Sequence, residues 1–450
     1  MTSFAIVGHE PLEARMTGPT IRNWELARVA AAAGHQVTLA VPGQPERAGD
    51  GFAVVGYRGE EDLVRVASNH AVVQVSGYLL DRFPRLGGAE CLVADLYDPF
   101  PLENLHLRID QAPADRHHAT LYDATVVNQL AQRADFCLCA SERQRDYWLG
   151  WLTAVGRVNP AAHESDPGMS RLLGVVPFGL PAEPPQPGPP VFRGVLPGVA
   201  EGDFLVLWGG GIWNWFDPLT LIRAAARAVE RAPRLRVVFP AAASPSPEVP
   251  MMAMAERALQ LAEELGVRDR AVFFGDGWVP YDRRGQMLLE ADLGVSLHLE
   301  DVETRFSFRT RVLDYLWAGL PVLTTEGDAM ADLVAADDLG AVVGYGDVDA
   351  TVEALTALAG DPERRAACAR RSRAVSRSLT WDRVARPLLD FLAAPRQAAD
   401  RGLTLPELRR RQEPDPGLGT RALRTLQAEG PAGVARKGGR FIARRLGDKK

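Results

Sequence analysis

Between Glu303 and Gly319 the chain reads E-T-R-F-S-F-R-T-R-V-L-D-Y-L-W-A-G, followed at once by L-P-V-L-T-T. Arg305, Arg309 and Arg311 stand beside Asp314, and the apolar residues that follow call for burial. Arginine suits bidentate contact with phosphate oxygens, and a helix start favours anions. Asp314 lies three residues after Arg311, a spacing that shares a helix face, and a carboxylate there suits sugar hydroxyls. The expected ligand therefore carries both phosphate and hydroxyl groups. Arg309 and Arg311, with Thr310 between them, are the expected diphosphate contacts. Asp314 is expected on the ribose, and Glu303 is a candidate acid at the segment's start.

Other loops that end strands could complete such a site. Trp208 to Pro218, W-G-G-G-I-W-N-W-F-D-P, has three consecutive glycines that leave backbone amides bare for a diphosphate. Gly210, Gly211 and Asn214 are the candidates here. Asp217 and Pro218 read as an N-cap and first helical residue, and the tryptophans read as packing. In Thr17-Gly18-Pro19, ahead of a helix, Gly18 permits close approach to an anion and Arg22 would add charge. Trp278 and Val279, in G-D-G-W-V-P, would lie near a base. In Asp95-Leu96-Tyr97-Asp98 the carboxylates would face the same space from the far side, with Asp98 a candidate catalytic acid. His298 is a lesser candidate. His117-His118 has no metal-ligand spacing and reads as a solvated face, so no metal site is expected.

The elements needed to position these loops are legible. The first 180 residues alternate short apolar strands (Phe4 to Val7, Val37 to Val41, Ala71 to Val75, Cys91 to Ala94, Phe136 to Cys139) with helical stretches, the pattern of a parallel sheet covered on both faces. Seven prolines between Pro181 and Pro197 break the alternation and read as an extended connector. Strands then resume at Phe204 to Leu207, Leu235 to Phe239, Ala271 to Phe274, Leu293 to Ser296, Val322 to Thr324 and Ala341 to Val343. The expected domains are 1–180, a linker at 181–200, a second α/β domain at 201–379 and a closing helix within 380–395. A basic tail occupies 396–450. From Gly417 onward it has nine Lys or Arg against Glu429 and Asp448, a net of +7, which leaves −13 on the rest of a chain whose total is −6.

At 450 residues, two domains are expected. A hydrophobic content of 46% and a charged content of 24% describe a globular chain with sizeable cores. The net charge of −6 argues against a nucleic-acid binder. Cys91, Cys137, Cys139 and Cys368 are few and sit in apolar contexts, as buried free thiols in a reducing compartment would. No signal peptide or membrane-length apolar run is visible, so a cytoplasmic location is expected. The tail interleaves Arg421, Arg424, Arg436, Lys437, Arg440, Arg444 and Arg445 with Leu423, Leu426, Val434, Phe441, Ile442 and Leu446. Such a stretch suits an anionic membrane surface, here the inner face of the cell membrane.

The segment F-R-T-R-V-L-D-Y-L-W-A-G-L-P-V, and F-F-G-D-G-W-V-P ahead of L-L-E-A-D-L-G-V, resemble the group 1 (family 4) glycosyltransferases of the GT-B fold. The resemblance covers roughly residues 1–395. It implies two Rossmann-like domains facing a cleft. It implies transfer of a sugar from a nucleotide diphospho-sugar to a glycan or lipid-linked acceptor, with retention of configuration and without metal or cofactor. The family often carries two Glu eight residues apart. The second aligns with Asp314 and the first with Phe306, so Glu303 or Ser307 must substitute or the contact is missing. A basic residue and a Lys often follow the glycine loop, where this chain has I-W-N-W-F-D-P, leaving the diphosphate to Arg309, Arg311 and Arg22. The absent first Glu keeps open a nucleotide-sugar-binding partner subunit that does not catalyse, and the shared fold keeps open a nucleotide-sugar epimerase.

Overall fold

A computed structural model describes residues 1–241, 251–275, 277 and 279–403 of the chain. Their strands form two sheets. In the first, β1 (Ser3–Val7), β2 (Gln36–Pro42), β3 (Ala53–Tyr57), β4 (Val72–Ser76), β5 (Cys91–Asp95), β6 (Phe136–Cys139) and β7 (Leu173–Val175) lie in the order β3-β2-β1-β4-β5-β6-β7. In the second, β8 (Phe204–Leu207), β9 (Leu235–Phe239), β10 (Val272–Phe274), β11 (Leu293–Ser296), β12 (Val322–Thr325) and β13 (Gly340–Val343) lie in the order β10-β9-β8-β11-β12-β13. Every neighbouring pair is parallel. The expected pair of doubly wound sheets is what the chain forms. Their central strands are buried along their length because helices cover both faces.

Two strands of the first sheet, β3 and β7, go beyond the sequence reading. β3 is an edge strand with only one buried residue, Tyr57, so its apolar signal is thin. Gly56 within it lies against the Gly43 carbonyl, where a Cβ would come within 2.0 Å. β7 has three residues, too short to register as a run.

One apolar cluster continues from the first sheet (Phe4, Leu39, Phe136) through Leu180, Phe192 and Trp381 to the second (Leu205, Phe273, Leu313). The helices Trp381–Val384 and Arg386–Ala393 pack on the first domain. Trp381 donates its N–H to the Leu180 carbonyl at 3.0 Å, and the Phe391 ring stacks on Phe136 at 4.9 Å. The single closing helix read from the sequence is broken near Ala385, because Pro387 in the second helix has no N–H to donate to the preceding turn. Beyond it, Asp400 forms a buried ion pair with Arg157 at 2.7 Å. The four cysteines are free and buried. The basic run from Gly417 onward lies outside the described residues.

Candidate functional site

Strand order reverses between β8 and β11, and a doubly wound sheet opens a crevice at the carboxyl ends of such a pair. The loop leaving β8 is Trp208 to Asn214, and the segment leaving β11 leads through His298 to Glu303 and Arg309. Gly210 has φ of +141°, a conformation that favours glycine. Tyr315, on the helix Thr310–Ala318, ties the crevice together. Its hydroxyl accepts the Gly209 N–H at 2.7 Å and donates to the Val295 carbonyl at 2.8 Å. Gly294 makes room for the ring, since a Cβ there would lie 2.2 Å from it.

Arg311 projects from this helix towards the glycine loop and is only 8% exposed. One Nη2 proton reaches the Gly211 carbonyl at 3.1 Å, while the guanidinium lies 4.1 Å from the Phe216 ring centroid and 4.9 Å from that of Trp208. Its Nη1 is buried without a hydrogen-bond partner among the described residues. Burial lowers its pKa to about 10, opposed by Tyr315 and reinforced by Arg309, so the cation persists at neutral pH. An unpaired buried donor of this kind is costly unless something fills it. Thr310, half-buried, opens the helix, whose first turn has no side-chain cap.

Arg309 is differently placed. Its two terminal nitrogens grip both oxygens of Glu303 at 3.0 and 2.7 Å, and its Nε lies 3.7 Å from Asp328. Glu303 and Asp328 are fully buried. Asp328 also caps the helix Ala329–Ala336 through the N–H groups of Met330 and Ala331. Arg309 thus has its terminal nitrogens committed to Glu303 and its Nε facing Asp328 without a hydrogen bond, whereas Arg311 has a terminal nitrogen, Nη1, with no carboxylate near it and no hydrogen-bond partner among the described residues. His298 sits beneath, bonded to Ser296 and Thr325, each at 3.1 Å. Burial first, then Arg309 and Arg311, hold it far below the usual histidine range, so it is neutral.

The first domain faces this cluster across the crevice. Asp98, half-buried after β5, is pushed up to about 6 by burial; a hydrogen bond with Glu103 opposes the rise, while Glu303 and Asp95 add to it. Glu103, on the helix Phe100–Leu107, is raised well above the carboxylate range by burial and then by Asp98 and Glu303. Carboxyl groups from two domains thus converge near Arg309. His106 Nε2 lies 3.1 Å from Asp301. Gln144 donates to the carbonyls of Tyr97 at 2.8 Å and Phe306 at 2.9 Å. Phe306, where the resembling family has its first Glu, packs on Tyr147 at 5.0 Å and so serves the domain contact.

Several expected donor contacts are placed otherwise. Arg22 is fully buried and turned inward. It pairs with Asp95 at 2.6 and 3.0 Å and donates to the carbonyls of Val176 and Pro177, so its charge is spent inside the first domain. Gly18 opens its helix as expected, but Glu10 already accepts the hydroxyls of Thr17 and Thr20 there, the latter at 2.8 Å. A resident carboxylate disfavours a phosphate at that end. Asn214 spans the domains, donating to the His106 carbonyl at 3.2 Å and accepting the Met254 N–H at 3.1 Å. Arg311 and Asp314 do not meet. Asp314 turns to Arg284, with 3.4 Å between Oδ1 and Nε. About a third of the Asp314 side chain (35%) is exposed; burial of the rest raises its pKa and Arg284 opposes that. Val279 is half-buried next to the turn where Tyr281 bonds to Ala14, and Trp278 lies outside the described residues.

Glu103, Tyr315, Asp328 and Arg284 were not singled out from the sequence. Two of them carry a signal. Glu103 stands five residues after Asp98, one turn into a helix, and Asp328 precedes an apolar helix as an N-cap does. A cavity of about 420 Å³ lies elsewhere, at the amino ends of β8 and β9 beside Phe204, Arg234 and Leu235, away from these groups.

Residues 254–390 match a family described as glycosyl transferase-like. Over 225 residues the chain is 28% identical to the D-inositol 3-phosphate glycosyltransferase of Nocardia farcinica, a match covering 49% of this chain and 47% of that protein. The match thus spans about half the length of that curated relative. Among solved structures, the Anabaena protein HepE in complex with UDP and glucose superposes with a TM-score of 0.62 at 15% identity, covering 88% of this chain and all (100%) of the other. The sucrose-phosphate synthase of Thermosynechococcus elongatus superposes at 0.59 and 16% identity, covering 87% of this chain and 98% of that one. At such identities the likeness is one of fold, two parallel-sheet α/β domains in the GT-B arrangement.

Proposed function

We propose that the chain is a group 1-type glycosyltransferase on the GT-B fold, a reading supported by the family match and the curated relative, and that it transfers a sugar from a nucleotide diphospho-sugar to a glycan or lipid-linked acceptor with retention of configuration. The observation that carries this reading is Arg311, a buried cation with an unpartnered Nη1 beside the Gly209 to Gly211 loop and an uncapped helix start. That combination suits the leaving diphosphate, whose developing charge is the main thing a transfer of this type must stabilise. Neighbours of the same fold are described in complex with UDP, UDP-glucose and UDP-2-fluoro-glucose, which favours a UDP-sugar as the donor to test first. The bond from the sugar carbon to the diphosphate oxygen breaks as the acceptor oxygen bonds to the same face. The acceptor's proton passes to the departing phosphate oxygen, so no cofactor or metal is invoked. Asp98 and Glu303 flank the sugar, with Glu303 held by Arg309 in place of the family's first Glu.

Incubation with UDP-, GDP-, ADP- and dTDP-sugars, followed by assay of free nucleoside diphosphate, tests the proposal. Slow release that accelerates with an acceptor supports it; tight nucleotide binding with no release from any donor overturns it. That outcome would favour the second reading, a nucleotide-sugar-binding partner subunit, for which Phe306 in place of a carboxylate is the specific observation.

A further inference from the structure

Asp314 is held by a residue that no motif assigns. Arg284, on the short helix Arg284–Leu289, pairs with it through Nε. The Arg284 guanidinium lies 4.1 Å from the ring centroid of Tyr281 and 4.8 Å from that of Trp317. Both rings are fixed. The Tyr281 hydroxyl donates to Glu25 at 2.9 Å and its N–H to the Ala14 carbonyl at 3.3 Å, while the Trp317 indole donates to the Glu183 carbonyl at 2.7 Å. Gly285 allows this approach, since a Cβ there would come within 2.9 Å of Pro185 and 3.2 Å of Trp317. The Arg284 side chain is 15% exposed and Asp314 is 35% exposed.

An ordinary surface ion pair loses much of its value to the entropy of ordering two long side chains. Here the cation is already ordered by two aromatic faces before the carboxylate arrives, and cation–π contact adds to its hold. Nε engages one carboxylate oxygen and leaves Oδ2 open. An aspartate is one methylene shorter than the glutamate of the resembling family, so its reach and aim depend more on what holds it. We propose that Arg284 is a positioning residue that aims Asp314 at the ribose diol of the donor. Tyr281, anchored to Glu25 and Ala14 of the first domain, makes that aim dependent on the domain contact. The inference rests on the reading of Asp314 as the ribose ligand.

The test is calorimetry on the full chain with the tightest-binding of UDP, GDP, ADP and CDP, and with its 2′-deoxy counterpart. Wild type is expected to prefer the ribonucleotide by about tenfold or more, the size of one charged hydrogen bond. Arg284→Gln is expected to bring the two affinities within about threefold of each other, as one lost contact would. Arg284→Lys keeps the charge but lacks the planar face, and an intermediate ratio is expected; it carries the test if the Gln variant does not fold. A wild-type ratio in whichever variant folds overturns the role of Arg284. A wild type that shows no preference, or binds none of the four, overturns the ribose reading of Asp314 and this proposal together, a result visible without any Arg284 variant.

Discussion

Arg305, Arg309 and Arg311 look interchangeable in the sequence, and their surroundings separate them. Arg305 is exposed, Arg309 is bound to Glu303, and Arg311 is buried with a donor to spare. Arg311→Ala is therefore expected to weaken nucleoside diphosphate binding by about 1.5–3 kcal/mol, the value of a charge-assisted hydrogen bond, and Arg305→Ala to leave it nearly unchanged. Equal affinities for the two variants by calorimetry would falsify the assignment. Asp98 permits a test through pH. Its folded pKa of about 6 lies above its ordinary value of 3.8, so the folded protein binds more protons than the unfolded chain between those values. Its contribution is fully present below pH 3.8 and is lost as pH rises through 6. Asp98→Asn, uncharged throughout, should raise the melting temperature at pH 7 and flatten its fall between pH 4 and 6, while lowering turnover. A melting profile parallel to wild type over that range would show that Asp98 is not buried against its neighbours as described.

Among the elements, the strands on both sides of each switch point were readable because central strands of parallel sheets are unbroken apolar runs. The Gly209 to Gly211 loop was readable from its glycines alone as an open turn at a strand end, which is where the structure has it. What fixes its shape was not, because Tyr315 is more than a hundred residues away and reads as an ordinary apolar helix residue. Only the packing of the helix Thr310–Ala318 against β11 brings its hydroxyl under the loop. Removing that hydroxyl in Tyr315→Phe leaves the Gly209 N–H without its recorded acceptor. The expected cost is about 1–3 kcal/mol, since a buried unsatisfied donor bears its full desolvation penalty. Urea unfolding should show a lower midpoint with an unchanged slope, and nucleotide affinity should fall with it. A stability loss without any loss of affinity would mean that the loop does not need Tyr315 to present its amides. Arg22 illustrates the opposite error. Its position after a Gly-Pro helix start suggested a phosphate ligand, but the fold places Asp95 and two carbonyls around it, and no local pattern announces that.

At the scale of the whole molecule, the contacts between domains were the least legible, since the bonds of Gln144 to Phe306, His106 to Asp301, Asn214 to His106 and Tyr281 to Glu25 exist only through the placement of one sheet against the other. Charge distribution, by contrast, is a property of sequence. The last 34 residues carry +7 and the remaining chain −13, so an anionic surface would attract one end of the molecule and repel the rest. Each Lys or Arg near such a surface contributes about 1 kcal/mol, and the attraction fades beyond a screening length of roughly 8–10 Å at physiological salt. We propose that the tail brings the transferase to a lipid-linked or membrane-proximal acceptor. No described helix is long and apolar enough to cross a membrane. Co-sedimentation with anionic vesicles at low salt should pellet the full chain, a 1–403 truncation should stay in the supernatant, and added salt should release the full chain. Neutral vesicles should recruit neither. If the full chain and the truncation pellet equally poorly with anionic vesicles, the tail is not a membrane anchor. If both pellet equally well, the attachment belongs to the two α/β domains, whose net charge of −13 would then demand an apolar contact in place of an electrostatic one.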